Sequence, residues 1–402
     1  MVVVTGIGLI SPHGDDPSRM FEALMRGESA VRDVFPELPR PAAAATAEFD
    51  ESRWFTRLQL AGVDRVSQLA VGAADLALKD ASLARDALDP LRTGIYAGCG
   101  MGGGGALETA YVAGARNGRV PPLTIPAFMP NAPASHVAMR FGVKGPVLTY
   151  SIACASSAIA ISEAAKAVKA GDVDVAIAGG SEALIVPGVI MAWQAMQTLA
   201  VFAPGQAATC VRPFALDRSG FALGEGAAFL VLESAERARS RGARLYAELA
   251  GWGSSCDATH LTKPDAAGQQ RAIVAALEMA GLSPREVGYC NAHGTATSIG
   301  DAIECEALRM AWQDDLDRLR VSSTKSMHGH LLGATGALEA AISVLALHRR
   351  QIPPNANCGV VDPQCRLNLV LSPGETAGDL NAAISSSFAF GGTNSVLAFR
   401  RI

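Results

Sequence analysis

Short runs of β-branched and apolar residues alternate along this chain with longer Ala-rich stretches of helical period. "VVVTGIG", "TGIYAGCG", "VDVAIAGG", "AFLVLE" and "RLYAELAGWG" read as strands, and "VSQLAVGAADLALKDA" and "SAERARSRGA" as helices. Strands interleaved with helices predict α/β layers around buried, largely parallel strands. No linker rich in Pro, Ser or charge divides the chain. Residues 36–48, "PELPRPAAAATAE", are the one low-complexity patch and read as a surface loop.

Two segments share a layout. "TYSIACASSAIAISEAAKAVKAG" runs strand, polar turn, helix, with Cys154 in the turn. "VSSTKSMHGHLLGATGALEAAISVLALHRR" does the same, with His330 there. A duplicated unit whose halves each deliver one reactive side chain to a shared seam explains both; an unrelated pair of strand–helix units gives the same pattern.

Composition narrows the class. The chain has 402 residues, 49% hydrophobic and 18% charged, which suits a large buried core. A formal charge of −4 lacks the basic excess of a nucleic-acid binder. The chain opens on the strand-like "MVVVTGIG" with no charged leader before it, so no secretory signal is expected. "ALIVPGVIMAW" is interrupted by Pro187 and too short to span a bilayer. Eight cysteines without a CxxC pair or zinc spacing suggest small hydrophobes in a reducing, cytoplasmic compartment.

Cys154 lies where a helix is expected to begin, and unpaired N–H groups there lower a thiol's pKa and stabilise an oxyanion. A cysteine among small residues is more often packing, so the reading needs partners. "NAHGTATSIGD" sets His293 in a Gly- and Thr-rich loop. "SSTKSMHGHLLGATGALEA" supplies Lys325, His328 and His330 before a Gly-rich turn. His293 and His330 read as functional, and His328 as structural. His13, His136, His260 and His348 have no supporting context. "SSSFAFGGTNSVLAF" reads as a movable loop lining a narrow channel, or as a tight loop before an edge strand.

Together these motifs resemble the β-ketoacyl-acyl carrier protein synthases, and more closely the elongating ketosynthases of type II fatty acid and polyketide assembly. "VVVTGIGLISPHG", "GCGMGG" and "RPFALDRSGFALGEGAAFLVLE" extend the resemblance over nearly the whole chain. It implies the thiolase-like five-layer αβαβα fold of two duplicated halves, here one ketosynthase domain divided at about 1–240 and 241–402. It also implies acylation of Cys154, then decarboxylation of a malonyl-acyl carrier protein and attack of its carbanion on the acyl group. His293 and His330 match the donors that hold the enolate oxygen. Backbone N–H groups of Cys154 and Phe388 would form the oxyanion hole, and Lys325 would order the network through Glu339. Thr295 and Thr297 match pantetheine contacts, and Phe388 and Phe390 the gate. Met101, with Phe128 and Met129 of a neighbouring subunit, would line the acyl pocket. No metal or organic cofactor is implied, the substrates riding on the carrier protein's phosphopantetheine. Acyl carrier protein and a second ketosynthase-like subunit, identical or homologous, are the implied partners.

The second base sorts near relatives. Degradative thiolases carry another cysteine near the C-terminus, and starter-unit synthases an Asn where His330 stands. Chain-length-factor subunits lack the nucleophile; a non-catalytic role of that kind is the alternative reading. Ala215, Ser219, Ser386 and Ala389 depart from the family pattern, Ala389 by restricting φ in the gate. "FMPNAPASHVAM" looks shorter than the family's interface loop. These departures favour a specialised pathway, such as a polyene or other type II polyketide.

Overall fold

The computed structural model describes residues 1–402. Eleven apolar runs pair into one sheet. They are β1 (Val2–Ile10), β2 (Thr93–Gly98), β3 (Val147–Tyr150), β4 (Val175–Glu182), β5 (Gly226–Ser234), β6 (Ala247–Cys256), β7 (Tyr289–Asn291), β8 (Arg320–Ser322), β9 (Asn368–Leu369), β10 (Ala382–Phe388) and β11 (Thr393–Arg400). The spatial order is β9-β8-β7-β10-β11-β6-β1-β5-β4-β2-β3. Numbered within its own half, each set of core strands follows the order 3-2-4-5-1, with β9 added outside the second. The half-sheets meet only where Val3 and Val4 of β1 pair with Glu248 and Ala247 of β6.

Helices α1 (Arg65–Asp80), α2 (Ala132–Phe141), α3 (Ser156–Ala170), α4 (Ala266–Ala280), α5 (Ser298–Trp312) and α6 (Thr335–Arg349) complete the layers. Asp64 and Asp265 cap α1 and α4 by accepting from Val66 and Gly268 N–H. Gly171 (φ 79°) and Gly281 (φ 61°) end α3 and α4 in the left-handed conformation. α3 and α6 pack against strands of both half-sheets and form the middle layer, with α1 and α2 outside the first half-sheet and α4 and α5 outside the second. Thr335–Leu347 of α6 is buried throughout, as a helix covered on all sides must be. The two middle helices approach closely at their N-termini. A Cβ on Gly336 would lie 2.9 Å from both the N and the Cβ of Ala158, and Ala337 N–H donates to Ser157 Oγ at 2.9 Å. No helix is long and apolar enough to cross a membrane.

Two expectations are corrected. The sheet is mixed: β2 runs parallel to β3 and β4, and β7 parallel to β8 and β10, but β5 is antiparallel to β1 and β4, and β11 to β10 and β6. The short 389–392 turn can join β10 and β11 only as a hairpin, whereas parallel neighbours need a crossover. The "PELPRPAAAATAE" patch is not wholly a surface loop. Ala42–Ala45 is a buried strand in a three-stranded sheet between Arg32–Val34 and Leu223–Gly224.

Candidate active site

Cys154 sits in the turn between β3 and α3, just before the helix's first residues. Ala153 takes a left-handed φ of 42° to make that turn. Ser156 Oγ braces it, accepting from Ile152 N–H at 2.8 Å and donating to Ala153 O at 2.7 Å. The thiol is buried, and burial pushes it up to about 12, against the pull of the Lys325 charge and the N–H groups of Phe390 and Cys154. Burial thus works against the acidic thiol expected from the helix start.

His330 reaches across from the other half, placing Nε2 3.0 Å from Cys154 Sγ. Its Nδ1 faces the Leu332 N–H at 3.2 Å and Thr335 Oγ1 at 2.9 Å. A backbone N–H can only donate, so Nδ1 accepts and Nε2 carries the proton. His330 is anchored to residues 222–224: its N–H donates to Ala222 O and its O accepts from Gly224 N–H, both at 2.8 Å. The small sheet holding Ala42–Ala45 thus extends to the turn that carries His330.

His293 stands edge-on to His330, with ring centroids 5.6 Å apart. Burial, and next the Lys325 charge, hold both histidines well below the usual imidazole range, so they are neutral N–H donors at physiological pH. Cys154 Sγ and one nitrogen of each ring lie within 4.8 Å of one another. That span suits a soft divalent metal. The proton on Nε2 of His330 sets an N–H donor against the sulfur.

Behind them, Lys325 Nζ donates to Glu339 Oε1 at 2.5 Å, both residues wholly buried. Burial pushes the Glu339 carboxyl up to about 7, against the Lys325 charge. His328, read as structural, bonds Thr324 Oγ1 and Gly329 O. Sequence reasoning missed Glu304, whose two oxygens accept the N–H groups of His293 and Gly294, each at 2.7 Å.

A cavity of about 350 Å³ runs from Cys154, His293 and His330 past Thr295, Thr297, Phe388 and Phe390. The Thr295 and Thr297 hydroxyls lie 3.1 Å apart on its wall, with Ala296 between them at a φ of 62°. His260, read as without context, also lines it, as does Trp193, whose indole stacks on Phe390 at 6.0 Å.

The two gate aromatics differ. Phe388 ends β10 with its ring edge-on to His293 at 6.0 Å. Phe390 lies beyond the strand, and its N–H, not that of Phe388, faces the Cys154 sulfur. Ala389 packs with Cys154 and Ile159 and needs no positive φ, so its methyl group costs no strain. Met101, Phe128 and Met129 do not line the cavity. Met101 and Met129 are 48% and 39% exposed, and Phe128 ends a short helix, Thr124–Phe128, where a loop was expected. Ser219 lies on the cavity wall and accepts from Val201 N–H through Oγ.

The chain matches the family models for the N-terminal domain of beta-ketoacyl synthase over residues 1–238 and its C-terminal domain over 246–359. It is 40% identical to nodulation protein E of Rhizobium sp. (strain N33), covering 100% of this chain and 99% of that one. It is 37% identical to 3-oxoacyl-[acyl-carrier-protein] synthase 2 of Staphylococcus aureus (strain COL), covering 100% and 98%. Among solved structures it is similar to the ishigamide ketosynthase/chain length factor, with a TM-score of 0.94, 31% identity and coverage of 100% and 99%. A cysteine and two neutral histidines at the seam of a repeated sheet, with family matches across both halves, place this chain in the beta-ketoacyl synthase family.

Proposed function

We propose that this chain catalyses decarboxylative condensation of an acyl thioester with a malonyl-acyl carrier protein. The observation that carries the reading is the Cys154, His293 and His330 trio, with both imidazoles neutral. In the first step the Cys154 sulfur attacks the carrier-bound acyl carbonyl. The N–H groups of Cys154 and Phe390 hold the oxyanion, and the carrier sulfur leaves, taking up the proton that the Cys154 thiol gives up. In the second, the malonyl C–C bond to the carboxylate breaks and CO2 departs. Its electron pair moves onto the thioester oxygen, which His293 and His330 hold through N–H donors. The enolate carbon then bonds the acyl carbonyl carbon, and Cys154 leaves as thiolate, giving a 3-ketoacyl chain two carbons longer.

Thr295 and Thr297 line the route a pantetheine arm takes, with Phe388 and Phe390 as its gate. Lys325 and Glu339 position the histidines from behind. Met101, Phe128 and Met129 fit an acyl pocket completed by a second subunit. Exposed apolar residues nearby, Tyr111, Ile125 and Met139 at 71%, 63% and 65%, support such pairing, either with itself or with a homologue. Acyl carrier protein is the substrate-bearing partner, and the free thiols suit the cytoplasm. The two thiolase-like halves divide near residue 240. The intact trio speaks against a non-catalytic, chain-length-factor role. Ser219 and Ser386 support a specialised, polyketide-type pathway over housekeeping synthesis. Incubating the purified protein alone with acyl- and malonyl-carrier proteins tests this. CO2 release with a Cys154 adduct supports it; neither product contradicts it.

A further inference from the structure

We propose that Glu182 is a positioning residue that holds the His330 turn against the nucleophile's half of the molecule, so that decarboxylation, and not acyl transfer, depends on its carboxylate. The inference rests on the reaction proposed above. Glu182 ends β4, whose residues are all buried. Its Oε2 accepts Gly100 N–H at 2.7 Å and Gly333 N–H at 3.0 Å. Its Oε1 accepts Met101 N–H at 3.2 Å and faces Cys99 Sγ at 3.8 Å. Gly100 and Met101 belong to the first half; Gly333 closes the turn that carries His330.

A wholly buried carboxyl with no Lys or Arg partner is costly. Burial pushes Glu182 up to about 7, while the three N–H groups favour its ionised form. An apolar residue would fill the space more cheaply, but no apolar residue gathers three donors from two halves.

Those donors bear on His330. Leu332 sits at a φ of 47°, a conformation that persists only where its surroundings impose it. On one side His330 is tied to Ala222 and Gly224; on the other Gly333 N–H is tied to Glu182. Between these anchors Leu332 N–H meets His330 Nδ1 and fixes the proton on Nε2. A Cβ on Gly333 would collide with Gly100 N and Glu182 Oε2, so the contact leaves no slack. The Cys154 turn is braced by its own Ser156, and Ser151 Oγ donates to Gly100 O beside the cluster.

The test is Glu182→Gln, which keeps the shape but turns one acceptor oxygen into an NH2 facing N–H donors. Two steps are measured separately: Cys154 adduct formation from an acyl-carrier protein by intact mass, and CO2 release from malonyl-carrier protein. The proposal expects CO2 release to fall about 10²-fold, as on withdrawing a preorganised donor. Acylation should stay within about threefold of wild type, and Glu182→Asp should recover more CO2 release than Gln does. Equal loss of both steps, unchanged CO2 release, or an Asp variant no better than Gln overturns it. If the Gln variant does not fold, Asp alone decides: CO2 release lowered with acylation kept supports the proposal, and both kept or both lost overturns it. A wild type that releases no CO2 overturns the reaction first and this inference with it. An active wild type matched by the Gln variant overturns this inference alone.

Discussion

The turn that presents Cys154 and the turn that presents His330 follow equivalent strands, β3 and β8, and precede the two middle helices, yet they are built differently. The first spans residues 151–155 and is closed by Ser156 at the head of its own helix. The second spans 323–334, carries the buried Lys325, and is held from outside by residues 222–224 and Glu182. A short, self-braced turn fixes the Cys154 sulfur before its helix. A long turn braced by the rest of the molecule lets its side chain cross the seam. Duplication supplies two helix starts facing each other at Ala158 and Gly336; in the proposed reaction the unequal turns divide the chemistry between them.

That division can be broken most severely at the nucleophile. Cys154→Ala should abolish the covalent acyl adduct, read by intact mass, because no second thiol stands beside the two histidines. An adduct on another cysteine removes the first turn's role. Next in size, His293→Ala or His330→Ala should lower condensation by about 10²- to 10³-fold, measured as 3-ketoacyl product, since each removes one preorganised donor. A loss below tenfold in both would take the donors out of the second turn.

The buried pair sharpens the contrast through stability. Lys325→Met leaves Glu339 without its partner and should cost about 3–5 kcal/mol in chemical denaturation. Ser156→Ala, in the self-braced turn, should cost about 1 kcal/mol. Equal costs would mean that the two turns are not braced differently. The smallest effect is a pH slope. Because burial pushes the Cys154 thiol up to about 12, its thiolate fraction grows about tenfold per pH unit below that value. Alkylation of Cys154, followed by peptide mass from pH 7 to 10, should rise accordingly. A rate flat across that range would mean that the helix terminus prevails over desolvation after all.

The residues proposed as reactive were legible because each lies in a turn rich in small residues, where packing gives no reason for a cysteine or histidine. The carboxylates behind them were not. Glu182 ends an apolar strand and Glu304 lies within a helix, so neither interrupts a periodic pattern; a charge closing the buried run "VAIAGGSE" was the one available signal. The Ala42–Ala45 strand was hidden because four alanines following Pro41 carry no alternation, and its partner Leu223–Gly224 is distant in sequence. Phe388 and Phe390 could not be told apart until the end of β10 was known, since it is Phe390, beyond the strand, whose N–H faces Cys154. Mixed strand direction likewise followed from connections, not from composition.

The central claim is that the two turns supply separable steps. Its most direct test measures CO2 release from malonyl-carrier protein and adduct formation from acyl-carrier protein in Cys154→Ala and His330→Ala side by side. The account predicts a crossed result: the Cys154 variant releases CO2 but forms no adduct, and the His330 variant forms the adduct but loses CO2 release by about 10²-fold. Two variants that lose both steps together would contradict it.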